Sequence, residues 1–168
     1  MAEVQSNFFG DSSLDRERER VRRERTEPGG TTCSACAQHA QQYRRNFIKS
    51  MAQWLLGLYQ FAKGQTTVWA HSHEVSRSIN FRSGGVFSVL KWHGLIEQKP
   101  NEGTATRVSG IWRMTERGKQ FAEGRERVPR YVLTYNDACV GFDGDLVHIS
   151  DVLPGFNYWE LMGWKDED

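Results

Sequence analysis

Ile111-Trp112-Arg113-Met114-Thr115-Glu116-Arg117-Gly118-Lys119-Gln120-Phe121 carries an alternating apolar and basic strand straight into a helix through a Thr-x-x-Gly step. Ile111, Trp112 and Met114 supply the apolar content of a short strand. Thr115 is a good N-cap, and Glu116 suits the positive end of a helix. Upstream, Ser83 to His93 reads as a helix with Val86, Phe87, Val89 and Leu90 on its apolar face, although Gly84-Gly85 sits in its first turn. Leu95-Ile96-Glu97-Gln98-Lys99 then reads as a strand, with Pro100-Asn101-Glu102-Gly103-Thr104 as the turn that follows it.

The run from Trp92-His93-Gly94-Leu95-Ile96 to Trp112-Arg113-Met114-Thr115-x-x-Gly118 resembles winged helix-turn-helix regulators of the MarR-like kind. Taken whole, the chain also resembles a family of uncharacterised tailed-bacteriophage proteins. That likeness rests on Cys33-x-x-Cys36, Tyr43-Arg44-Arg45, Ser50-Met51-Ala52, the block just described, Val128-Pro129-Arg130-Tyr131-Val132, Gly141-Phe142 and Phe156-Asn157-Tyr158-x-Glu160-Leu161-Met162. It covers about residues 33 to 162 and implies architecture more than activity.

The chain has 168 residues, of which 38% are hydrophobic, enough for one ordinary core plus a tail. Its net charge is only +1, so the distribution of charge carries more information than its total. Between Ser76 and Lys119, eight cations face Glu97, Glu102 and Glu116. From Asp137 onward, Lys165 alone faces eight carboxylates. Three cysteines, no signal-like N-terminus and no long apolar run predict a reduced, soluble, cytoplasmic setting without a membrane; the phage-family resemblance implies that the cell is a bacterial host.

Four stretches are expected. Residues 1–32 form a charged arm, read as disordered or as a frayed helix because its Arg and Glu have almost no apolar neighbours. Residues 33–43 hold the Cys-x-x-Cys segment. A winged-helix domain follows over 44–124. Its first helix runs from about Arg44 to Ala62, where Phe47, Met51, Trp54, Leu58 and Phe61 recur at helical spacing and Lys63-Gly64 supplies the stop. Glu74 to Asn80 is a candidate second helix. Residues 125–168 hold Tyr131–Tyr135, Cys139–Phe142 and Leu146–Ile149, three short strands turned at Asn136-Asp137-Ala138 and Asp143-Gly144-Asp145, and then an aromatic and acidic tail. The fold class is therefore α+β: a winged helix followed by a small antiparallel meander.

Cys33 and Cys36 have the spacing with which two thiolates hold one tetrahedral zinc, with His39 as a nearby third ligand. Ala37 stands where such turns often place glycine. Zinc ligands, ordinary thiols and a redox pair all remain open. His71 and His73 would share one face of an extended segment, as ligands, bases or a polar loop surface. Cys139 reads as a small buried hydrophobe, and with His148 it lacks a third group or an oxyanion element. No phosphate-cradling loop or His-Glu-x-x-His helix is present, so no enzyme is expected.

Arg77, Arg82 and Lys91 flank or occupy the candidate recognition helix, and Lys99, Arg107 and Arg113 lie on the wing. Together they would place a basic surface beside a helix able to enter a major groove of double-stranded DNA. The expected function is a non-catalytic DNA-binding regulator or accessory factor of phage origin, acting as a homodimer. The alternative is a protein-interaction module that modulates a host enzyme, for instance an anti-defence protein whose acidic C-terminal segment mimics nucleic acid.

Overall fold

The computed structural model describes residues 12–81, 85–100 and 110–157. The elements are α1 (Ser12–Glu24), β1 (Thr31–Thr32), β2 (His39–Ala40), β3 (Tyr43–Asn46), α2 (Lys49–Phe61), β4 (Ala70–His71), α3 (Ser72–Ser78), a 3-10 helix (Val86–Lys91), β5 (Ile96–Gln98), β6 (Ile111–Met114), α4 (Glu116–Ala122), β7 (Val128–Tyr135), β8 (Ala138–Val147) and α5 (Ile149–Val152). The fold is mixed α+β with antiparallel pairing. The sheet orders are β1-β2, β3-β7-β8 and β4-β6-β5. Two compact units divide the chain: residues 1–44 with 133–140, and residues 45–132 with 141–168.

In the larger unit, α2 buries Met51, Trp54, Leu55 and Leu58 because their three- and four-residue spacing puts them on one face. Trp54 stacks on Phe87 of the 3-10 helix at 4.1 Å, and Phe87 meets Trp112 of β6 edge-on at 5.7 Å. The Trp54 indole N–H, which would otherwise be buried unpaired, donates to Ser76 Oγ at 3.2 Å. Thus α2, α3, the 3-10 helix and β6 meet around one aromatic stack.

The Thr-x-x-Gly step has a clear mechanical role. The Thr115 hydroxyl accepts the Gly118 N–H at 3.0 Å and donates to the Gly94 carbonyl at 2.6 Å. The Thr115 N–H donates to the Leu95 carbonyl at 3.1 Å. A Cβ at position 118 would lie 2.0 Å from that same carbonyl oxygen, so only glycine lets α4 approach this closely. One threonine therefore caps α4 and ties it to the start of β5.

In the smaller unit the charged arm is not disordered over its described part: of the two alternatives it takes the helix, Ser12–Glu24, and that helix is anchored instead of frayed. Its arginines and carboxylates pair at helical spacing, as Asp15–Arg18 at 3.1 Å and Glu19–Arg22 at 2.9 Å. Arg20 forms the clasp. It pairs with Glu17 at 2.6 Å and Glu24 at 2.5 Å, and donates to Thr31 Oγ1 at 2.9 Å and the Thr32 carbonyl at 2.8 Å. Glu17 also accepts the Ser34 N–H at 2.6 Å. The helix is held by polar groups of the β1–β2 hairpin rather than by an apolar face. Residues 1–11 lie outside the described residues.

Three further expectations are revised. Tyr43–Asn46 is a strand on β7, so the first helix starts at Lys49, and Phe47 is buried ahead of it with its N–H on the Arg130 carbonyl at 2.8 Å. The expected helix at Ser83–His93 is described as a 3-10 helix over Val86–Lys91, entered through left-handed Gly85, with two β-branched valines among its six residues. Asp143-Gly144-Asp145 is not a turn but part of the ten-residue β8. There Gly144 takes φ +77 inside the strand, against the Tyr131 ring. The third strand of that sheet is β3.

Candidate nucleic-acid interface

The pairing of β4, β6 and β5 fixes the register of the basic side chains around them. Arg113 of β6 lies opposite Glu97 of β5, and Ala70 opposite Trp112 places Trp69 opposite Arg113 on the other side. The Arg113 Nε donates to Glu97 at 2.5 Å, and its guanidinium lies 4.5 Å from the Trp69 ring centroid. Arg113 is half-buried and engaged on both sides. Lys99, exposed just beyond β5, donates its N–H to the Ile111 carbonyl at 2.9 Å, closing the ladder where the strands leave the sheet.

Arg77 is exposed in the last turn of α3, and Lys91 is exposed at the end of the 3-10 helix, its Nζ 5.0 Å from the Trp92 ring centroid. These two cations sit on the two consecutive helical segments that lead into β5. Arg82 and Arg107 lie outside the described residues. Trp69, Trp92 and Glu97 are the neighbours that sequence reading missed, because each acts across a sheet or stacks on a cation rather than by spacing along the chain.

Arg117 is committed to structure. It donates to the His93 carbonyl at 3.0 Å and the Arg127 carbonyl at 3.4 Å, and pairs with Glu126 at 3.2 Å. The His93 side chain is fully buried against Phe47, with ring centroids 5.1 Å apart, and neither of its ring nitrogens has a partner among the described residues. Burial, and secondarily the Arg117 charge, lowers its pKa to about 4. It is held neutral within the core.

The other candidates separate by role. The His71 side chain caps α3, accepting the His73 N–H at 3.2 Å, while Glu74 reaches back to the His71 N–H at 3.3 Å. That is a capping box rather than a ligand pair. The His148 ring lies at the Gly124 carbonyl and 3.0 Å from Ser150 Oγ. Cys139 is half-buried instead of buried.

Cys33 and Cys36 occupy the tip of the β1–β2 hairpin. The Cys33 N–H donates to the Gln38 carbonyl at 2.9 Å, and the Ala37 N–H returns to the Cys33 carbonyl at 2.8 Å. Ala37 adopts φ +58, the conformation for which glycine would be easier. The Cys33 sulfur accepts the backbone N–H groups of Cys36 and Ala35, which hold its thiol below the ordinary range. His39 does not join them: among the described residues no group of three metal-capable side chains occurs. No helix there is long and apolar enough to cross a membrane.

No protein-family model matches the chain, and neither does a curated protein or a solved structure.

Proposed function

We propose that the larger unit is a winged helix-turn-helix domain that contacts double-stranded DNA without catalysis, as a regulator or accessory factor of phage origin. The observation that carries this reading is the element order helix, strand, helix, helix, strand, strand from α2 to β6, with the first strand pairing beside the last in β4-β6-β5. In such an arrangement the second and third helical segments face the groove and the β5–β6 connection forms the wing. Arg77 and Lys91, exposed on those two segments, are the groups that reach phosphates, with Arg82 between them in sequence. Arg113 supports the wing more than it contacts DNA, because Glu97 already neutralises it.

The test is fluorescence anisotropy with a mixed-sequence duplex across a salt series. Binding should fall with salt at a log–log slope of about −0.9 per phosphate contact, and Arg77→Ala/Lys91→Ala should flatten that slope by about two contacts. Absence of binding at low salt defeats the reading.

The internal pairing of Arg113 favours a second use of the same scaffold, in which the surface docks on a host protein. A chain that fails to bind DNA yet retains one host enzyme in a salt-resistant complex would establish it.

A further inference from the structure

One face of α1 borders a cavity that DNA contact leaves unused. Leu14, Arg18, Val21 and Arg22 recur at three- and four-residue steps along the helix, and Arg25 follows at the same spacing just past its end. Together with Cys33 and Tyr135 they line a space of about 250 Å³, wholly within the smaller unit. Sites for drug-sized ligands run from roughly 300 to 1,000 Å³, so this one suits a smaller molecule. Leu14, Val21 and the aliphatic stems of Arg18 and Arg22 make most of its wall apolar.

The other charges on this wall are already matched. Arg18 pairs with Asp15 at 3.1 Å, and Arg22 with Glu19 at 2.9 Å. Glu17, the one carboxylate lining the cavity, accepts from Arg20 on both oxygens, at 2.8 and 2.6 Å, and from the Ser34 N–H at 2.6 Å. Arg25 differs. Its backbone is fixed from both sides, its N–H donating to the Val21 carbonyl at 2.9 Å and its carbonyl accepting the Gln42 N–H at 2.8 Å. Its guanidinium lies 4.1 Å from the Tyr135 ring centroid, and its Nε is buried without an acceptor. No carboxylate among the described residues pairs with it.

We propose that this cavity binds a small monocarboxylate with an apolar body, its carboxylate on the Arg25 guanidinium and its carbon chain along Leu14 and Val21. A guanidinium held against a ring keeps its terminal amino groups as a fixed fork, which matches a planar carboxylate in two parallel hydrogen bonds. A half-buried cation without a counter-charge gains from any anion that can reach it. One unmatched charge calls for a monoanion, and the apolar wall favours a ligand that carries hydrocarbon over a fully hydrated ion such as inorganic phosphate.

Cys33 stands on the wall and can report occupancy, whereas Cys139 does not line the cavity. The experiment is calorimetric titration of the full chain with hexanoate, joined to alkylation of the reduced thiols by iodoacetamide and mass spectrometry at each cysteine. At about 10 mM hexanoate a site with a Kd of about 1 mM is roughly nine-tenths filled, so alkylation of Cys33 should slow about tenfold while that of Cys139 is unchanged. Hexan-1-ol and inorganic phosphate at the same concentration should leave Cys33 unprotected. Arg25→Gln should abolish both heat and protection. Circular dichroism checks the fold of that variant, and the comparison of hexanoate with hexan-1-ol tests the charge on the native chain without mutation. Absence of heat and protection, heat without protection of Cys33, or equal protection by hexan-1-ol or phosphate overturns the proposal. None of these outcomes bears on DNA contact by Arg77 and Lys91, which belong to the other unit.

Discussion

Each of the two units is stabilised internally, and by opposite means. In residues 45–132 and 141–168, aromatic and aliphatic side chains close around Trp54, Phe87 and Trp112, and the one histidine inside, His93, has no polar partner among the described residues. In residues 1–44 and 133–140, the organising centre is Arg20, which gathers two carboxylates, a hydroxyl and a carbonyl. Apolar contact is non-directional and tolerates salt, whereas a half-exposed ion network depends on geometry and is screened. The difference shows that one chain of mixed composition can stabilise its separate units through terms that respond to different perturbations.

The sharpest way to break the comparison is at Gly118. Its Cβ has no room beside the Leu95 carbonyl oxygen. Gly118→Ala is expected to cost roughly 3 kcal/mol or more, read by urea unfolding through tryptophan fluorescence. A loss below about 1 kcal/mol would mean that α4 can retreat from β5 without penalty, and that tight packing does not govern this unit.

Acid should separate the units next. An unfolded His93 titrates near the ordinary 6.5 and the folded one at about 4, so between those values the unfolded state binds more protons. Stability of the larger unit is therefore complete above about pH 6.5 and declines as pH falls towards about 4, by on the order of 3 kcal/mol in total. The smaller unit responds later. Glu17, lowered to about 2 by its hydrogen bond to Arg20, loses its contribution only as pH falls below 4.5 towards 2. Hydrogen exchange resolved by segment should show this order, and His93→Phe should remove the first phase. Persistence of that phase in the variant would assign it to another group.

The smallest effect belongs to the clasp. Arg20→Ala, or high salt on the native chain, should speed exchange at the Ser34 amide, which donates to the carboxylate of Glu17, while amides of α2 stay protected. Equal loss in both places would erase the distinction between the units.

The same contrast explains what could be read from the sequence. Thr115 and Gly118 are three residues apart and act on a backbone only some twenty residues upstream, so their motif is legible. The apolar stripe of α2 is legible for the same reason, since its spacing is its mechanism. At Ser12–Glu24 the sequence leaves disorder and a frayed helix open, because the groups that anchor the helix, Thr31, Thr32 and Ser34, lie beyond the Pro28-Gly29-Gly30 break. Arg44–Asn46 reads as helix because Phe47 extends the stripe, but pairing to β7 some ninety residues away prevails over local pattern. Asp143-Gly144-Asp145 has turn chemistry and is used instead for a left-handed residue inside a strand. At the candidate interface, composition identifies the cations, while cross-strand register decides which of them is already occupied, as Arg113 is by Glu97.

The discontinuity of the smaller unit also sets a timetable. Its first 44 residues leave the ribosome long before Leu133–Val140, which bring Tyr135 to lie 4.1 Å from the Arg25 guanidinium. At ordinary elongation rates of about 5–20 residues per second, the intervening chain takes roughly 5–20 s to emerge. Throughout that interval the unit lacks the strand residues that complete it, so its first segment waits in the nascent state for the end of its own synthesis.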